Sequence, residues 1–379
     1  MKIAIISPWT VSNTAIGGTE RFVIDIAESL KKQGNEIDVY MLSGKNYKKN
    51  GVNYININIL EKDDFVDEEK LKDLFGNFED ETSYIKLANK LEKSIDIRKY
   101  DLIQLNSQLF LKAFRTKKRI FTIHTNPFEF EMNFGKKSFE HMLRIMELEY
   151  NINTFYVCPS QYYMKKYEEL TKLKIHFIPH AIDIDRINKP VSIDQIINKY
   201  SLDKNLKHIV LPSRLEPIQK QPMLFMKAFS RIDKSVRKNF QVICTGLDQQ
   251  YKKYASDIEI FCSKNDINLK ILKFDYIYEA YSLADIIILP SKSESFGYSA
   301  LESLSLGIPT ILNSIPTYLE IAKGSKNSYI FKNTEDALIL EIKKILKSQI
   351  NRKKQPEKWN EKYNLNTFGK KYLDLVKRW

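Results

Sequence analysis

Short apolar runs alternate with longer amphipathic stretches along the whole chain. Lys2–Ser7 (KIAIIS), Glu36–Leu42, Asn53–Ile59, Asp101–Leu105, Ile120–His124, Thr154–Pro159 and Ile175–Ile182 read as strands, and Glu20–Gly34 has helical spacing. The rhythm then starts again. His208–Leu211, Phe240–Thr245, Leu269–Leu272, Asp285–Pro290, Pro309–Asn313 and Tyr329–Phe331 are the strands of a second series, with Pro222–Ile232 as its first helix. Unbroken apolar strands separated by helices predict parallel sheets covered on both faces. Two such series predict two doubly wound α/β domains, over residues 1–185 and 200–355, with 356–379 crossing back onto the first. Ligands of such sheets bind beyond the carboxyl ends of the strands, and a cleft between the two domains is the expected place. The segment Glu61–Glu81 breaks the rhythm with ten acids and three lysines, and reads as a solvated excursion.

Composition supports this picture and removes alternatives. At 379 residues the chain exceeds what one hydrophobic core usually spans, and 12 glycines with 12 prolines exclude collagenous or low-complexity structure. Cys158, Cys244 and Cys262 show no ligand spacing, which points to a reducing compartment rather than to disulfides or zinc. No apolar stretch reaches the ~18 residues of a membrane span, and the start lacks signal-peptide character, so a cytoplasmic protein is expected. The net charge of +13 is uneven: residues 181–379 hold 33 basic and 22 acidic residues, and the last 39 hold 12 and 4. Nucleic acid is the first partner a basic chain raises, but the basic residues are interleaved with acids and no nucleic-acid motif is present. An anionic membrane surface, at the inner face of the membrane, suits the basic carboxyl-terminal region better. A plain solvated helix face is the simpler reading of the same charges.

The chemistry concentrates in Ile286–Pro309, IIILPSKSESFGYSALESLSLGIP. A strand ends at Pro290, a polar loop follows, and a helix is predicted to start around Phe296–Gly297. Glu294 and Glu302 have seven residues between them. With Glu294 in the loop and Glu302 in the helix, both can face a ligand lying across the helix start, whose amides suit a diphosphate. Alternatively, Glu294 caps the helix and Glu302 is solvated. Arg214 and Lys220 follow the first strand of the second series. There they can neutralise a diphosphate, the arginine gripping two oxygens and the lysine acting as a point charge, although standing alone two such loop residues are more often solvated charges. Gly17 and Gly18 close the first loop and would let backbone amides approach a phosphate or sugar. His124, at a predicted strand end, could bond a sugar hydroxyl, although a lone histidine is more often a satisfied core residue.

SESFGYSALESLSLGIP strongly resembles the signature of the retaining GT-B glycosyltransferases of glycosyltransferase family 4. IGGTERFVIDIAESLKKQGNEIDVY, YDLIQLNS with RIFTIHTN, IPHAID, LPSRLEPIQKQP and YSLADIIILPS are similar to further family segments, in the family's order. The resemblance implies a GT-B fold, with two Rossmann-like domains facing across a cleft. It also implies transfer of a sugar from a nucleotide diphosphate donor, UDP-glucose or UDP-N-acetylglucosamine, to a hydroxyl on a glycan, lipid-linked glycan, polymer or protein. The nucleotide sugar is then a substrate, with no metal or other cofactor expected. Arg214 and Lys220 would hold the diphosphate, Glu294 the donor sugar and Glu302 the ribose. The amides around Phe296, Gly297 and Tyr298 would meet the phosphate and sugar, and Gly17, Gly18 and His124 would complete the site. His180 and Ala181 stand where the family usually has Asn-Gly, and Asp275 where a glycine is common near the base. Rival readings are a UDP-sugar 2-epimerase of the same architecture, which lacks the two-glutamate signature, and a non-catalytic glycan-binding subunit.

Overall fold

The computed structural model describes residues 1–8, 17–60, 68–150, 153–246, 249–274, 276–348 and 350–378. Asp275 and the start of the acidic segment, residues 61–67, lie outside the described residues. The chain divides into two units, residues 1–182 with 362–379, and residues 183–361.

The first unit is built on β1 (Lys2–Ser7), β2 (Glu36–Met41), β3 (Tyr47–Lys49), β4 (Val52–Asn56), β5 (Leu102–Leu105), β6 (Arg119–Thr122), β7 (Thr154–Cys158) and β8 (Ile175–Phe177). They form one sheet in the order β3-β4-β2-β1-β5-β6-β7-β8, parallel except for the β3–β4 pair. The strands that sequence placed are here, several of them shorter. β6 stops at Thr122, so His124 lies beyond the strand, and the Ile175–Ile182 run is a strand only to Phe177. β3 (YKK) has no apolar run to announce it; Tyr47 stacks on Tyr54 of β4 with ring centroids 4.3 Å apart.

Helix Gly18–Lys32 follows β1. Phe22, Val23, Ile26, Ala27 and Leu30 are buried, while Glu20 in its first turn and Lys31 and Lys32 in its last suit the helix dipole. The carboxyl-terminal helix Leu365–Val376 packs against it through Phe368, Gly369 and Tyr372. A Cβ on Gly369 would lie 2.9 Å from the Leu30 backbone nitrogen, and the Gly369 N–H donates to Ser29 Oγ at 2.7 Å. Only glycine allows that approach. The described part of the acidic segment is less solvated than its charge suggests: helix Glu68–Phe75 forms, and Leu71, Phe75 and Phe78 enter the core of the unit. Burial of three apolar side chains outweighs the cost of surrounding them with solvated acids.

The second unit holds β9 (Lys207–Leu211), β10 (Phe240–Thr245), β11 (Leu269–Leu272), β12 (Ile286–Leu289), β13 (Thr310–Asn313) and β14 (Ser328–Phe331) in the order β11-β10-β9-β12-β13-β14, all parallel. Residues 183–185, expected in the first domain, and residues 186–199, left between the two, belong to this unit, and the chain returns to the first at Lys362 rather than at Pro356. Trp359 explains the later return: it is buried in the second unit and its indole N–H donates to the Ile321 carbonyl at 2.8 Å. Among the described residues no disulfide joins the three buried cysteines, and no helix is long and apolar enough to cross a membrane.

Candidate active site

In the second sheet the chain runs outward from β9 through β10 and β11, then returns to place β12 on the other side of β9. The loops leaving β9 and β12 therefore diverge from neighbouring carboxyl ends, at the topological switch point where open α/β sheets bind ligands. Arg214 and Lys220 sit on the first loop and Glu294 on the second.

Each loop is fixed by its own polar residues. The Glu216 carboxylate accepts backbone N–H groups from Ile218 (2.8 Å), Gln219 and Lys220 (3.0 Å), curling the chain before helix Pro222–Ser230. The Gln219 carbonyl accepts the Lys292 N–H at 2.7 Å, and the Gln219 amide donates to the Ser293 carbonyl at 3.2 Å. That tie sets Lys220 beside Glu294: Lys220 Nζ donates to Glu294 Oε1 at 2.7 Å, with both side chains largely buried. Ser291 Oγ (2.9 Å) and Tyr318 Oη (3.1 Å) donate to the same oxygen. Burial and the adjoining Glu294 charge hold the Tyr318 phenol well above its ordinary pKa, so it remains a donor.

The turn after Glu294 depends on Gly297, which caps helix Tyr298–Ser305 at φ 100°. A Cβ there would meet Tyr318 Cε1 at 2.8 Å, so both backbone and packing require glycine. Phe296 and Tyr298 are buried with their rings edge to face, and the helix begins after Gly297 as its sequence indicated. Glu302 lies on that helix, 2% exposed, and Tyr281 Oη donates to its Oε2 at 2.6 Å. It is buried rather than solvated. Arg214 is exposed, and among the described residues it forms no ion pair.

In the first unit, Gly17 precedes helix Gly18–Lys32 without a side-chain cap, and the Glu20 carboxylate occupies the space where a side chain on Gly17 would go. One turn on, Phe22 packs on His124 and His180, at ring distances of 4.5 and 4.6 Å, and the two histidines lie 5.4 Å apart. Asn106 Oδ1 accepts from Gln104 Nε2 at 3.2 Å while its amide donates to the Ile6 carbonyl. His124 Nε2, 3.3 Å from that Oδ1, is therefore the protonated nitrogen, leaving Nδ1 an acceptor. Apolar surroundings hold the His124 pKa down to about 3, and burial followed by the His124 charge holds that of His180 well below the usual value. Both rings are neutral near pH 7. Asn106, Glu216, Gln219, Ser291 and Tyr318 were not singled out by sequence; Glu216 acts within its own loop and the others through contacts distant in the chain, and only the strand-end position of Asn106 offered a signal.

Two doubly wound, parallel-sheet units of this topology are those of the GT-B fold. The family described as Glycosyltransferase Family 4 matches residues 16–186, and that described as Glycosyl transferases group 1 matches residues 192–363. The chain belongs to this glycosyltransferase family. It is 22% identical over 371 residues to "Uncharacterized glycosyltransferase MJ1607" of Methanocaldococcus jannaschii, covering 91% of this chain and 89% of that one. Among solved structures, sucrose-phosphate synthase from Thermosynechococcus elongatus superposes with a TM-score of 0.77 at 16% identity, covering 100% of this chain and 98% of that one. Anabaena Alr3699/HepE, solved in complex with UDP and glucose, gives 0.73 at 15% identity with 100% of both chains covered.

Proposed function

We propose that the protein is a retaining, metal-independent hexosyltransferase that moves a sugar from UDP-glucose or UDP-N-acetylglucosamine to an acceptor hydroxyl on a glycan, glycolipid, polymer or protein. The observation that carries this is the Lys220–Glu294 pair at the switch point, with Arg214 exposed on the same loop and a helix start alongside. The donor binds the second unit. Arg214 and Lys220 take the diphosphate, Glu294 the sugar hydroxyls and Glu302 the ribose. The bond from the anomeric carbon to the phosphate oxygen breaks as the acceptor oxygen attacks from the same face. The departing phosphate oxygen takes the acceptor's proton. Negative charge grows on the diphosphate during this step, so cations already placed there lower the barrier rather than merely tightening binding. The first unit receives the acceptor, with His124 Nδ1 placed to accept a sugar hydroxyl. The complex of the Anabaena protein with UDP and glucose makes UDP-glucose the first donor to test. Acceptors presented on an anionic surface would suit the basic residues after position 341.

The test is a thermal-shift comparison of UDP-glucose, UDP-N-acetylglucosamine and GDP-mannose, followed by turnover with the stabilising donor in EDTA. Stabilisation by a UDP-sugar and EDTA-insensitive UDP release are expected. Strict dependence on added Mg²⁺, or stabilisation by none of the three, would overturn the proposal.

A further inference from the structure

Tyr318 lies on helix Pro316–Ala322, outside the motifs that carry the family resemblance, and is 1% exposed. Its hydroxyl lies 3.1 Å from both Ser291 Oγ and Glu294 Oε1, while Ser291 Oγ donates to Glu294 Oε1 at 2.9 Å. With Lys220 Nζ at 2.7 Å, three donors converge on one carboxylate oxygen. A carboxylate pivots about its last side-chain torsion, which is broad and has no strong preferred angle. Three donors on Oε1 remove that freedom and leave Oε2 as the oxygen that can serve a ligand. The Tyr318 ring also fills space, since its Cε1 edge occupies the place where a side chain on residue 297 would go. The Gly297 turn and the Glu294 carboxylate therefore share one support.

We propose that Tyr318 is a positioning residue for donor-sugar recognition, locking Glu294 so that Oε2 faces the sugar. This rests on the reading of Glu294 as the sugar-contacting group. A phenol that only filled the core would not separate sugar affinity from nucleotide affinity. A phenol that aims Glu294 would, because UDP lacks the sugar.

Isothermal titration of UDP and of UDP-glucose into the wild type and Tyr318→Phe separates the two. Phenylalanine keeps the ring against Gly297 and removes only the hydroxyl. Loss of one hydrogen bond to a charged group should weaken UDP-glucose by about tenfold and leave UDP unchanged. In a Glu294→Gln background, Tyr318→Phe should add little further loss, since coupled residues are not additive. Should Tyr318→Phe fail to fold, Ser291→Ala removes the other hydroxyl on Oε1, and the same selective loss is expected. Equal weakening of UDP and UDP-glucose, no weakening of either, or the same loss with and without Glu294 would overturn the inference. If the wild type binds neither UDP nor UDP-sugar, or Glu294→Gln leaves UDP-glucose affinity intact, the reading of the site fails and the inference falls with it.

Discussion

Two carboxylate–cation clusters in this protein use the same chemistry to opposite ends. In the first unit Glu149 is fully buried, 2.8 Å from Lys112 Nζ, 2.8 Å from Arg115 Nε and 3.7 Å from Arg119 Nη2. Arg119 is itself fully buried and donates to Thr154 Oγ1 and to the carbonyls of Leu111 and Ala113. This cluster stands at the amino ends of β6 and β7, and Arg119 has its donors committed to the protein. In the second unit Glu294 and Lys220 stand at the carboxyl ends of β12 and β9. Among the described residues, Lys220 Nζ has one of its three N–H groups engaged, and Arg214 has no ion-pair partner. An ion pair alone therefore does not mark a site. Its place relative to strand direction and its unused bonding capacity do.

The comparison breaks most visibly at the buried cluster. Glu149→Gln leaves Arg119 as a buried, uncompensated charge and should cost about 3–5 kcal/mol in denaturant unfolding. Turnover per folded molecule should stay near wild type. A loss below ~1 kcal/mol would show that the cluster does not hold the fold. At the second cluster, Gly297→Ala places a Cβ at a positive φ and against Tyr318, so a loss of ~1–3 kcal/mol is expected together with reduced donor turnover. Unchanged melting and turnover would remove the shared support assigned to Gly297 and Tyr318.

The smallest effect sharpens the contrast in the first unit. The folded-state pKa values of His124 and His180 lie below their unfolded values. Between about pH 6.5 and 3 the unfolded chain therefore binds protons that the folded chain refuses. Stability contributed by the neutral rings is present above about pH 6.5 and lost as pH falls, by at most ~1.4 kcal/mol per pH unit per histidine. The slope is less for His124, which is only half-buried. Urea midpoints at pH 7 and pH 5 should separate more for wild type than for His180→Asn. Equal separation would contradict the assignment.

Much of this was legible in sequence because it rests on local patterns. Unbroken apolar runs such as KIAIIS and IIIL become interior parallel strands wherever both faces are covered, and the Phe-Gly turn between Glu294 and Glu302 locates a helix start. What was hidden depends on side chains far apart in the chain. Tyr318 reaches Glu294 across 24 positions and Gln219 reaches Ser293 across 74, and neither is written in local spacing. Spacing alone left Glu302 either facing a ligand or solvated; its burial, and the bond it accepts from Tyr281 21 positions away, come from tertiary packing. β3 forms only because β4 offers it an edge, and the acidic segment folds inward because Leu71, Phe75 and Phe78 prevail over its charge.

The claim that the second cluster is the catalytic one is tested most directly by the rate of sugar transfer from the stabilising UDP-sugar in Glu294→Ala and Arg214→Ala. On the proposed roles each substitution removes a group meeting the developing charge or the donor sugar, so each should lower the rate by about a hundredfold or more, with the melting temperature close to wild type. Transfer at the wild-type rate in both variants would contradict it.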